Sequence, residues 1–124
     1  MTLMDALYRI DELKPNSYSQ SEKIKWLSSL DGLIKREIID THEGGEDIVF
    51  SGYNENSDLS TELLVPAPYD DIYLRWLETQ IDYLNGEYGK YNNSITMYNA
   101  AYSIYANYYN RTHMPKSKGS KFRF

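Results

Sequence analysis

"YDDIYLRWLETQIDYLNGEYGKYNNSITMYNAAYSIYANYYNRTH", Tyr69 to His113, decides the fold. Apolar and aromatic side chains fall at Leu77, Ile81, Leu84, Tyr88, Tyr91, Ile95, Tyr98, Tyr102, Tyr105 and Tyr109, in steps that alternate four and three residues. Such spacing keeps one stripe of an α-helix on one side, so periodicity alone predicts one long helix. Local propensity disagrees: Gly86, Gly89 and Asn92-Asn93-Ser94 read as a helix stop followed by a helix start. Two helices are therefore expected, from about Asp70 to Gly89 and from about Ser94 to Asn110, nearly collinear or kinked. Asp70 or Asp71 is placed to cap the first of them.

Upstream, Leu3, Leu7 and Ile10 sit at helical spacing behind Thr2, a candidate cap, and ahead of Pro15, which stops the helix. A second, longer helix opens at Ser19, with Glu22 at capping-box spacing, and carries Ile24, Leu27, Leu30, Ile34 and Ile38 to a boundary at Gly44-Gly45. Between about residues 46 and 68 the pattern changes. Ile48-Val49-Phe50 and Leu63-Leu64-Val65 have strand propensity, and the residues between them are turn-forming, which predicts a short β-hairpin or an extended arm. The expected fold class is thus mainly α: one domain, residues 1–115, of about four helices with that arm between the second and third, followed by a basic flexible tail, 116–124.

The chain of 124 residues suits one domain and buries about two thirds of the surface its unfolded form exposes. It has no cysteine, which removes disulfides and thiolate chemistry. The N-terminus meets charge at Asp5, Arg9 and Asp11, so it has no apolar run of the length a signal peptide or membrane span needs. Net charge is −5, from 13 Lys+Arg against 18 Asp+Glu. The last nine residues hold four of those bases and no acid, which leaves 9 bases against 18 acids in the body and makes it −9. Such a body repels nucleic acid, while the tail suits phosphate or an acidic protein groove.

Candidate chemistry is sparse. The acids Asp70, Asp71, Glu43, Glu46 and Asp47 read as helix caps and solvated loop charge. His42 beside Glu43 lacks the spacing of a metal motif relative to the other histidine, His113. "EGGED" lacks the lysine of a phosphate loop, and no serine sits in a nucleophile elbow, so no enzymatic activity and no cofactor are expected. The tyrosines have Asn, Ser and Ala between them and not the Lys and Arg that accompany base stacking. Tyr91, Tyr98, Tyr102, Tyr105 and Tyr109 therefore read as core and subunit packing, since tyrosine serves both.

From Leu63 to Lys116 the chain resembles a family of small virion-associated proteins encoded by tailed phages and prophages of Gram-positive bacteria. The motifs that carry the resemblance are "PAPYDD" (Pro66 to Asp71), "YLNGEYGKYNNS" (Tyr83 to Ser94) and "YNRTHMPK" (Tyr109 to Lys116), within a stretch that is a little under half the chain. The resemblance implies a mostly helical subunit of the head–tail connector or adaptor layer, located at the head–tail junction of the virion and in the host cytoplasm during assembly. It implies partners too: copies of itself in a twelvefold ring beneath the portal, the portal, and neighbouring neck or tail proteins. DNA would pass through the channel without specific binding, and no membrane is involved. The arm would be Ile48 to Val65. The docking segment would be His113 to Phe124, with Lys116, Lys118, Lys121, Phe122, Arg123 and Phe124 as its contacts; Phe122 and Phe124 fall on one side of an extended strand.

Two other classes fit the same sequence. One is a small regulatory or host-interaction protein that binds a single partner. The other is a DNA-binding module that uses the basic tail, whose binding would fall steeply with salt.

Overall fold

Thr2 opens the first helix with a reciprocal cap. Its hydroxyl accepts the Asp5 N–H at 3.1 Å, and the Asp5 carboxylate accepts the Thr2 N–H at 3.0 Å. Two groups that a helix start leaves without partners are satisfied in this way. In the computed structural model, which describes residues 1–116, this helix, α1, spans Leu3–Leu13. Its remaining N-terminal donors are met from a distance: the Leu3 and Met4 N–H groups donate to the carbonyls of Thr61 and Leu59, each at 3.0 Å. Leu3, Leu7 and Ile10 are buried, as their spacing requires.

The second helix, α2, spans Gln20–Ile34 and is capped by Ser19, whose hydroxyl accepts the Glu22 N–H at 3.1 Å. It runs on into a π-helical turn, Lys35–Ile39. That widening keeps Ile38 as well as Ile39 in the core, and Ile24, Leu27, Leu30, Ile34 and Ile38 are all buried. Each such side chain contributes about 1.5–3 kcal/mol by leaving water. Gly44, with a φ of 84°, then turns the chain away.

The third and fourth helices, α3 (Ile72–Leu84) and α4 (Tyr88–Thr112), correct the expected arrangement of the long stripe. The break falls at Asn85-Gly86-Glu87, and Asn92-Asn93-Ser94 lie inside α4. The two helices are not collinear but fold back on each other, since Tyr83 meets Tyr91, Trp76 meets Tyr98 and Tyr69 meets Tyr105. Gly86 makes the reversal. At a φ of 73° it lets its own N–H reach the Tyr83 carbonyl and the Glu87 N–H reach that of Asp82, both at 3.0 Å. This paired closure is the Schellman motif, which glycine favours because it lacks a Cβ. Asp71 precedes α3 without a capping side-chain bond, and the Asp70 carboxylate lies 3.5 Å from the N-terminal amine. The central helix is α3, which packs on α1, α2 and α4.

No β-hairpin forms between α2 and α3 among the described residues; the only pairings outside helices are isolated bridges, Thr2 with Glu62 and His42 with Pro115. Ile48-Val49-Phe50 has no strand partner because residues 59–63 are already bonded to the chain's first residues, with Leu63 donating to the Met1 carbonyl at 3.0 Å. Nor does this segment project as an arm. Leu63 and Val65 are buried, and Leu59, Leu64 and Tyr53 pack partly against the core. Of the tail residues, Lys116 is described, whereas Lys118, Lys121, Phe122, Arg123 and Phe124 lie outside the described residues.

Candidate protein-binding surface

The tyrosine stripe of α4 faces inward. Tyr98, Tyr105 and Tyr109 are buried, and Tyr91 and Tyr102 are half-buried. Tyr98 lies tilted against Trp76 at 4.9 Å between ring centres, Tyr105 against Tyr69 at 5.8 Å, and Tyr109 edge-on to His42 at 4.8 Å. Such contacts are worth about 0.5–1.5 kcal/mol each beyond the area they bury. Burial pushes the Tyr98 hydroxyl up to about 12 and raises that of Tyr105 as well. Toward the tip of the hairpin the stripe surfaces, and Leu84 and Tyr88 are exposed.

Polar residues fix the frame around it. Asp31, fully buried on α2, accepts the hydroxyls of Tyr53 and Tyr73 at 2.6 Å each and the Leu64 N–H at 3.0 Å. The Tyr73 hydroxyl accepts the Val65 N–H in turn, at 2.7 Å. Burial raises the Asp31 carboxyl above its ordinary value, against the pull of these donors, and raises both tyrosine hydroxyls. Asp82 on α3 is also fully buried; it holds Lys14 at 2.6 Å and the Ser94 hydroxyl at 2.5 Å, joining the end of α1 to α4. Ser94 thus bonds across the hairpin and caps nothing.

His42 and His113, unrelated by spacing, come together around Tyr109, with ring centres 6.4 Å apart. His42 is committed to structure. Its Nδ1 lies 2.6 Å from the Ile38 carbonyl and its Nε2 2.7 Å from the Asn110 side-chain oxygen. Among the described residues no group of three or more His, Asp or Glu side chains is placed to hold a metal ion. The Lys116 N–H donates to the Thr41 carbonyl at 3.0 Å and its ammonium lies 3.5 Å from Glu46, so residues 114–116 lie beside 41–43 as part of the body. No described helix is long and apolar enough to cross a membrane.

A second stripe was missed in the sequence. Asn93, Met97, Ala100, Ile104, Asn107 and Arg111 repeat the four–three step on the opposite side of α4, and all six are exposed. Met97, at 46% exposed, and Ile104, at 56%, stand on either side of Ala100. Together with Pro68, Tyr69 and the paired Asp71 and Arg75 they line an open groove of about 310 Å3 between α4 and the start of α3. Charge marks the same surface: all 18 acids lie before residue 88, and between Lys90 and Arg111 the helix carries no charge at all. Both signals are legible in the sequence. The tyrosines hide them, because an alternation of large rings dominates any reading of periodicity.

The chain matches no family model, no curated protein and no solved structure.

Proposed function

We propose that the chain is a structural subunit of a tailed-phage virion, without catalytic activity, that works as a head–tail connector beneath the portal. Copies pack side by side in a ring, and the C-terminal segment beyond Lys116 docks on the portal or a neighbouring neck or tail protein. The observation that carries this reading is the outer face of α4. Exposed surface on a chain this acidic is expected to be charged, yet this 25-residue helix, about 37 Å long, carries no charge between Lys90 and Arg111 and has Met97, Ala100 and Ile104 at the centre of its outer face. Depletion of charge with apolar side chains at the middle is the composition of a protein interface. The resemblance of Leu63 to Lys116 to the virion-associated family supplies the context.

Mass spectrometry of purified particles tests the proposal. The chain is expected there at a stoichiometry comparable with the portal and not with the major capsid protein. Its absence from particles while abundant in the host lysate would reject the connector reading.

A further inference from the structure

The turn that folds α4 back on α3 is built on Asn85-Gly86, the only Asn-Gly pair in the chain. In such a pair the backbone nitrogen of glycine, with no side chain beside it to obstruct approach, can attack the side-chain carbonyl carbon of asparagine. The bond from that carbon, Cγ, to the amide nitrogen breaks, ammonia leaves, and a five-membered cyclic imide forms. Water then opens the ring at either carbonyl, which gives aspartate or isoaspartate. The folded turn holds this reaction back at three points. Ring closure needs the Gly86 nitrogen to lie over the Asn85 Cβ, but at a ψ of −6° it lies over the Asn85 backbone nitrogen instead. The attack also requires the Gly86 nitrogen to lose its proton, and that N–H is donated to the Tyr83 carbonyl at 3.0 Å. The third restraint comes from far away in sequence. The Tyr18 hydroxyl donates to the Asn85 side-chain oxygen at 2.6 Å and fixes the group under attack, while the Tyr18 ring is itself held edge-on to Trp26. Asn85 and Gly86 are exposed, so water reaches them once the turn opens.

We infer that Asn85 is a self-modification site, converted to aspartate and isoaspartate when the α3–α4 turn opens, and that the Tyr18 hydroxyl guards it. Isoaspartate routes the backbone through Cβ and Cγ, which adds a carbon to the chain just before Gly86. The closures onto the Tyr83 and Asp82 carbonyls then no longer match in length. Because those closures make the reversal, α4 loses its seat on α3, and the buried rings of Tyr98 and Tyr105 lose their cover. The conversion does not reverse in water, so the turn records the time that a chain has spent open. None of this depends on the chain's partner, and the connector reading stands or falls separately.

The full chain, incubated at mildly alkaline pH either folded or in concentrated urea, tests the inference. Residues 76–90 form a tryptic peptide in which Asn85 is the sole asparagine, and chromatography with mass spectrometry separates its amide, aspartate and isoaspartate forms. The unfolded chain is expected to lose Asn85 steadily, and the folded chain at least about tenfold more slowly, because the bonds that close the turn must open first. Tyr18→Phe keeps the ring and removes only the donor. Its folded form is expected to react about fivefold faster than the wild type, the factor that one hydrogen bond of ordinary strength supplies, while in urea the two react alike. The purified isoaspartate form should be less helical by circular dichroism than the unmodified chain. Absence of modification at Asn85 in urea would overturn the site, and equal rates in the folded and unfolded chains would overturn its protection by the turn. A Tyr18→Phe rate equal to the wild type, or raised only in step with a lowered urea midpoint, would overturn the guard. Unchanged helicity of the isoaspartate form would overturn the release of α4.

Discussion

Asp31 has no exposed atom, and its three donors come from two parts of the chain: Tyr53 and Leu64 in the irregular segment and Tyr73 on α3. A carboxylate can accept from all three at once, whereas an amide of the same shape turns a donor toward one of them. Asp31→Asn is expected to lower stability by about 1–3 kcal/mol, because an amide nitrogen in the Oδ1 position leaves the Tyr73 hydroxyl, which already accepts the Val65 N–H, without an acceptor for its proton; equal urea midpoints for variant and wild type would refute this. The buried hydroxyls also give a direction in pH. Tyr98 is raised from 10.0 to about 12, so the folded chain keeps a proton that the unfolded chain has lost. That contribution is fully present below the unfolded value of 10.0 and is lost as pH rises through the folded value of about 12. Thermal midpoints should therefore fall across that interval, in step with the appearance of tyrosinate absorbance. Little of the Asp31 site was legible in advance, since an aspartate on an otherwise apolar helix face looks like surface charge until the backbone groups it serves are placed.

At the scale of elements, the central lesson is in the stripe from Leu77 to Tyr109. Its periodicity is real, but a stripe specifies which side of a helix is covered and not what covers it. One straight rod against another chain and a hairpin folded on itself satisfy the same spacing. The choice is made at Gly86, a single residue, while the more conspicuous Asn92-Asn93-Ser94 continues as helix because Ser94 finds Asp82 across the turn. Two glycines three residues apart should thus respond with opposite sign. Gly86→Ala places a Cβ at a φ of 73° and is expected to cost about 1–2 kcal/mol. Gly89→Ala, inside α4 with open space around it, is expected to stabilise by about 0.4–1 kcal/mol. If both destabilise equally in denaturant unfolding, the turn lies elsewhere. The two faces of α4 give a similar contrast between neighbours. Tyr105→Ala should cost about 3–5 kcal/mol as a buried aromatic, and Ile104→Ala less than about 0.5 kcal/mol as an exposed aliphatic side chain. The hairpin expected near Ile48 and Leu63 failed for a related reason. Strand propensity marked Leu63-Leu64-Val65, yet the isolated bridge forms one residue earlier, between Glu62 and Thr2, and no local signal names a partner sixty residues away.

For the whole molecule, the helices divide the labour. The chain up to the turn at Glu87 carries every acid and builds most of the core, and α4 closes that core with its tyrosines while turning outward a face without charge between Lys90 and Arg111. Fold class and most helix positions follow from spacing and caps, because those are local. The surface did not follow, because it depends on which side of α4 the hairpin leaves free. The chain is proposed to use that surface to join copies of itself within a virion, and replacing one side chain there tests this most directly. A phage whose own gene is deleted should be complemented by the wild-type chain, and particle content should be measured against complementation by Ile104→Glu. The account predicts that the variant folds, accumulates in the host and is missing from particles. Recovery of the variant in particles at wild-type stoichiometry would contradict it.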